Sequence, residues 1–310
     1  MAKIDKKTVE SFIKNQLESW PMAAGNFDAL KGVEVKELDV DGMSVKVQFN
    51  PARAVSSGAK VDAASIKARK CFLCGANRPA EQTEIEWGKY LILINPFPIF
   101  PLHLTIPDAA HTDQLIEGRI ADMIELAMQL EGYTVFYNGP RCGASAPDHL
   151  HFQAGNSDFL TLGTALRNAT MDKVAEDGKS MLYAVDALPI KVFVIDAFSP
   201  EEGARLFDRL YKAMPVKEGE SEPMLNLLAW AEGPAVRLVV IPRKRHRPSF
   251  YGTEGDDTMM ISPASVDLGG VFITPRRGDF DRFDAETVKK IYKELCISSK
   301  ELKEIAENVR

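Results

Sequence analysis

The run that most restricts the fold is the uncharged stretch at 90–107, YLILINPFPIFPLHLTIP. It is long enough to raise the question of a membrane helix, but Pro96, Pro98, Pro101 and Pro107 interrupt it. A helix interior does not take such a series, because each proline lacks an N–H and its ring clashes with the preceding turn. Two short buried strands joined by a proline-rich connection are expected instead. The first residues, MAKIDKKTVESFIKNQ, lack the apolar run of a signal peptide, so a soluble, cytoplasmic protein is expected.

Strand-like alternation recurs at 33–50, where Asp41-Gly42 marks a hairpin turn, and at 133–138, 149–153, 182–196 and 224–248. Helical spacing covers 6–20, 112–131, the partly charged 158–178, 199–214 and 285–310. Ser199, Pro200 and Glu202 spell a helix start with a capping box, and Asp284 caps the last region. Hairpins mixed with flanking helices predict an α+β fold. A length of 310 residues suggests two domains, placed at 1–178 and 179–310. The likeness of LTIPDAAH (104–111) to VVIPRKRH (239–246) suggests similar halves, the second degenerate because HLHFQ occurs only in the first.

With 38 Lys+Arg against 44 Asp+Glu the net charge is −6, which gives no general attraction to nucleic acid or an anionic membrane. Four cysteines do not make a disulfide scaffold, and a reduced compartment follows. Of the five histidines, His103, His111, His149 and His151 fall in one short region, and His246 stands apart. In HLHFQ, alternation puts His149, His151 and Gln153 on one face and Leu150 and Phe152 on the other. The loop before it, GPRCGASAPD (139–148), carries Gly143-Ala144-Ser145, small residues that let backbone amides approach an anion. Cys71-Phe-Leu-Cys74 is half of a zinc site. It reads alternatively as two buried thiols or a redox dithiol, the latter without a thioredoxin-like surround. His111 and His149 are available as further ligands, with Cys142 as a competitor, whereas Cys296 reads as core.

The ordered set CFLC (71–74), PLHLTIPDAAH (101–111) and YNGPRCGASAPDHLHFQ (137–153) resembles the histidine-triad superfamily. It is most similar to the branch of galactose-1-phosphate uridylyltransferase, GDP-galactose phosphorylase and diadenosine tetraphosphate phosphorylase. The resemblance covers about residues 50–155; the C-terminal half resembles the second, degenerate domain of that branch only loosely. It implies nucleotidyl transfer in two steps. His151 matches the nucleophile, Gln153 a hydrogen-bond donor to a phosphoryl oxygen, and Asn138, Gly143 and Ser145 the loop that holds phosphates. Cys71, Cys74, His111 and His149 match a structural zinc set, one zinc per chain. His103 matches a position commonly histidine in the wider superfamily and is assigned no chemistry. Arg53 falls where relatives place basic residues near the nucleotide, although a solvated turn explains it almost as well.

The run Arg243-Lys-Arg-His-Arg247 reads as a solvated face or as a phosphate-binding element through Arg243 and Arg245. The resulting expectation is a nucleotidyltransferase or nucleoside-diphosphate-sugar phosphorylase, acting on a nucleotide sugar or dinucleotide with a phosphate or sugar-phosphate acceptor. Diadenosine polyphosphate phosphorolysis, nucleotide hydrolysis and a non-catalytic nucleotide-binding protein are the alternatives. Relatives that build sites across subunits make a homodimer a reasonable expectation.

Overall fold

In the computed structural model, which describes residues 4–54, 62–252, 254–255 and 258–309, Asp41 and Gly42 both take positive φ, 51° and 84°. That is the geometry of a two-residue hairpin turn whose twist matches its strands. It joins β1 (Glu34–Val40) to β2 (Met43–Phe49). A strand from the far end of the chain, β13 (Val271–Thr274), adds to β2 in parallel and completes a three-stranded sheet. Residues 55–61 of the basic stretch after β2, Lys60 included, lie outside the described residues.

The proline-interrupted run forms β4 (Tyr90–Ile94) and β5 (Leu104–Pro107), paired antiparallel. Among the described residues no helix is long and apolar enough to cross a membrane. Both strands belong to a ten-stranded sheet. Its other members are β3 (Ile85–Trp87), β6 (Tyr133–Asn138), β7 (His151–Asn156), β8 (Asp172–Asp177), β9 (Ser180–Val185), β10 (Val192–Ala197), β11 (Leu225–Glu232) and β12 (Ala235–Pro242). The order is β3-β4-β5-β7-β6-β11-β12-β10-β9-β8. Read inward from either edge, the two sets of five strands follow the same sequence, and they meet where β6 pairs antiparallel with β11. In this arrangement β12 stands where β7 stands in the other set, and β10 where β5 stands. The Ile-Pro-x-x-x-His likeness therefore does not mark equivalent strands: LTIP is β5, whereas VVIP ends β12.

Alternation divides the large sheet into two apolar faces. Ile106, Val135, Tyr137, Phe152, Leu227 and Leu238 belong to a core that includes residues of the helices Lys6–Ser19, Ile120–Gln129, Pro200–Ala213 and Ser299–Val309. Phe136, Val194, Leu228 and Val239 belong to a second core with Val45, Val47 and Phe272 of the small sheet and residues of the helix Ala285–Leu295. Asn138, His151 and Gln153 alternate onto this second side.

Several local expectations change. The helix expected over 112–131 begins only at Ile120, because Gly118 takes φ 71° and the Ile116 N–H donates to Glu222 at 2.9 Å instead of entering a helix ladder. The segment 158–178 yields a helix only at Leu162–Arg167 and then the strand β8, where hydrogen bonding to β9 overrides its charged, helix-compatible composition. Ser199 does cap the helix Pro200–Ala213, but the Glu202 carboxylate accepts from Ser180 and Lys179 rather than closing a capping box. The last helical region is two helices, broken where Cys296 bridges to Arg243.

Candidate active site and metal centre

CFLC and HLHFQ meet at the start of β7. Cys71, Cys74, His111 and His149 bring four ligand atoms within 4.8 Å of one another. The individual separations are Cys71 Sγ–His149 Nδ1 3.2 Å, Cys74 Sγ–His111 Nδ1 3.3 Å, Cys74 Sγ–His149 Nδ1 3.6 Å and His111 Nδ1–His149 Nδ1 3.2 Å. Zinc bonds of roughly 2.0–2.3 Å to nitrogen and sulfur imply tetrahedral edges of about 3.3–3.8 Å, so the donor set fits that ion in size and chemistry. His149 Nε2 lies 2.8 Å from the Asp108 carbonyl. A carbonyl only accepts, so Nε2 carries the proton and Nδ1 is left to bind metal. These residues form a possible metal site. His149 precedes β7 rather than sharing its face with His151: the strand begins two residues later, and the His149 ring is turned to the cysteines.

His151 is 3% exposed. Its Nδ1 sits 2.8 Å from the His149 carbonyl, which by the same logic places the ring proton on Nδ1 and a lone pair on Nε2. Nε2 has no hydrogen bond among the described residues. Burial pulls the His151 pKa down to about 4, so the imidazole is neutral at physiological pH. The main chain around it is fixed by Gln114, which accepts from His151 N at 2.7 Å and donates to His151 O at 3.1 Å and Asn138 O at 2.9 Å.

Gln153, two residues along the same face, accepts at Oε1 from His103 Nε2 at 3.0 Å and Asn95 Nδ2 at 3.4 Å. Asn138 Oδ1 accepts from Asn226 Nδ2 and Ser265 N, each at 2.8 Å. Asn226 also donates to Cys142 O at 2.8 Å, tying the glycine loop to β11. Within that loop Gly143 has φ 101°, and a Cβ there would lie 2.6 Å from Ala264 Cβ. Ser145 is exposed on the same loop.

Arg243 is 4% exposed, and its guanidinium donates to Asn226 Oδ1, Pro263 O, Arg245 O and His246 O at 2.6–3.1 Å. It thus braces the loop through Asn226. Arg245 pairs instead with Glu294 at 3.2 Å, and among the described residues no hydrogen bond joins it to His151. Arg53 donates to Phe97 O at 2.7 Å and lies close enough to Asp267 and His103 to act on both; burial lowers its pKa to about 10. The residues that sequence reasoning passed over are Asn95, Gln114 and Asn226, with His103 left unassigned. None carries a local motif, and only tertiary pairing reveals them.

A family of domains of unknown function, DUF4922, matches residues 12–156, and the GDPGP1-like C-terminal domain family matches residues 165–310. The C-terminal half is thus similar to the C-terminal domain of the GDPGP1-like proteins, and the N-terminal half to a family named only by number. The fold agrees. Yeast Ap4A phosphorylase Apa2 in complex with AMP superposes with a TM-score of 0.58 at 20% identity, covering 89% of this chain and 94% of that one. The same yeast enzyme in complex with Ap4A gives 0.54 at 16% identity, over 90% of this chain and 97% of that one. No curated protein sequence is significantly similar to the chain.

Proposed function

We propose that this protein is a histidine-triad-superfamily nucleotidyltransferase or phosphorylase that works through a nucleotidyl-His151 intermediate. The observation that carries the reading is the His151 ring itself: neutral, with Nδ1–H held by the His149 carbonyl and the Nε2 lone pair uncommitted, on the same strand face as Gln153. In the first step Nε2 attacks the α-phosphorus of a nucleotide. The N–P bond forms as the bond to the leaving phosphate oxygen breaks, and the electron pair departs with that oxygen. The positive charge that develops on the imidazole is met by the His149 carbonyl at Nδ1–H. In the second step an oxygen of inorganic phosphate or a sugar phosphate attacks the same phosphorus and the N–P bond breaks. Asn138, Gly143 and Ser145 hold the phosphates.

The substrate class is a nucleotide sugar or a dinucleoside polyphosphate. The likeness to an enzyme named for Ap4A phosphorolysis keeps the second option level with the first. One site per chain is the reading, since β12, in the place of β7, has no histidine. A zinc ion bound by Cys71, Cys74, His111 and His149 would supply structural cross-linking, with every ligand position filled and no open position for substrate. The protein's place is the reducing cytoplasm, and a homodimer is its proposed assembly.

Intact-mass spectrometry at neutral to mildly basic pH, after incubation with separate nucleotide sugars and dinucleoside polyphosphates, tests the reading. The expected result is one added nucleoside monophosphate that names the base and is absent in His151→Ala. Release of product by a folded His151→Ala variant at the wild-type rate would overturn it.

A further inference from the structure

The amide end of Gln153 that faces substrate is decided in the loop between β4 and β5. Two backbone N–H groups, which can only donate, set the polarity of everything downstream. The Ile99 N–H donates to His103 Nδ1 at 3.1 Å. His103 Nδ1 is therefore the acceptor nitrogen, and its proton sits on Nε2, aimed 3.0 Å away at Gln153 Oε1. The Phe97 N–H donates to Asn95 Oδ1 at 3.0 Å. Asn95 Nδ2 is then free to donate to Thr105 Oγ1 at 3.0 Å and to Gln153 Oε1 at 3.4 Å. Both donors converge on the same Gln153 oxygen. A flipped amide would set its NH2 against two other donors.

We propose that His103 and Asn95 are positioning residues that lock Gln153 with its carbonyl turned into the protein and its NH2 turned to the transferring phosphoryl group. This rests on the nucleotidyl-transfer reading above. The lock gives the phosphoryl oxygens a fixed donor and withholds both an acidic proton and a competing lone pair. His103 is fully buried, and the neighbouring Arg53 charge acts with burial to hold it neutral. A protonated ring would carry a second N–H facing Ile99 N–H and would break the relay at its source. The proline-interrupted loop thereby acquires a task beyond joining two strands: it presents the two amides from which the polarity of the site is read.

The test is a double-mutant cycle read by the single-turnover rate of His151 nucleotidylation. His103→Leu is expected to slow that step by about tenfold or more with KM for the nucleotide donor changed less than about twofold. In a Gln153→Ala background the same substitution is expected to change the rate less than about twofold, because nothing remains to be oriented. Equal losses in both backgrounds would show a merely structural role and overturn the proposal. Gln153→Glu provides a second arm. It keeps the acceptor for His103 but turns an oxygen on the phosphoryl group, so it is expected to be slower than Gln153→Ala; a Glu variant as fast as wild type overturns the lock. Should His103→Leu fail to fold, Asn95→Ala runs the same cycle. Nitrogen-15 spectra of glutamine-labelled protein read the orientation without turnover. The Gln153 side-chain signal, identified by its loss in Gln153→Ala, is expected to shift and to exchange faster with water in the His103 or Asn95 variant. If the wild type forms no adduct, the functional reading fails and this signal alone judges the lock; an unmoved signal refutes it.

Discussion

Gly143 shows how a single missing side chain can be a requirement. Its φ of 101° and the 2.6 Å approach of a notional Cβ to Ala264 exclude any larger residue without strain. Gly143→Ala is expected to cost about 2 kcal/mol of stability and to slow nucleotidylation. Ala264→Gly in the same chain should return only the part due to crowding, as urea midpoints will separate. Glu222 makes a different demand. It accepts from Ile116 N at 2.9 Å and Tyr137 Oη at 2.7 Å, yet burial raises its pKa from 4.5 to about 7. Between those values the folded chain holds a proton that the unfolded chain has released, so this group's contribution to stability falls as pH rises through that window. Glu222→Gln mimics the protonated form, and Tyr137 has Gln114 O at 3.0 Å as an alternative acceptor. The variant should gain stability relative to wild type from pH 5 to pH 8 in urea titrations. At this scale HLHFQ and CFLC were legible because each compresses its chemistry into a few adjacent residues. Asn95, Gln114 and Asn226 were not, because an isolated amide in a sequence has no direction until its distant partner is known.

At the scale of elements, the sequence was most informative where backbone chemistry is local. Asp41-Gly42, Ser199, Asp284 and the prolines of 90–107 each marked a turn, a cap or a break that the fold contains. It was least informative where a distant element intervenes, as when Glu222 captures Ile116 ahead of the helix Ile120–Gln129, or β9 draws Asp172–Asp177 into a strand. The cysteine element belongs to this scale as well. Cys71, Leu73 and Ala146 form a small cluster separate from both main cores, so little apolar burial holds CFLC to the start of β7. With the zinc reading, purified protein should contain about one zinc per chain by elemental analysis. Cys71→Ser should weaken retention by more than the roughly 10–100-fold that loss of an outer partner costs, and chelation should lower the thermal midpoint. Metal-free protein of unchanged stability would return the cysteines to ordinary packing.

Across the whole molecule, the glycine loop is supported from both halves of the chain. Asn138 of β6 faces Asn226 of β11 in register, and Asn226 joins Asn138, Cys142 and the buried Arg243. Asn226→Ala would leave the Arg243 guanidinium short of a partner while buried. A loss of about 3 kcal/mol is expected, together with slower adduct formation, although Asn226 lies 75 residues from His151 in sequence. Unchanged kinetics with reduced stability would show that the brace serves the fold alone. The repeated strand order carries a further consequence, for what becomes of the polypeptide in pieces. Every residue of β6 is buried, and β11 is nearly so; each is the other's neighbour in the sheet. A cut in the connection at 157–171 would convert both into long, apolar, open edges, the kind that recruit foreign strands and seed aggregates. The N-terminal piece would also lose β13 from its small sheet. The two halves can diverge in chemistry, one carrying a histidine on β7 and the other none on the corresponding β12, but during synthesis and turnover they stand or fall as a single unit.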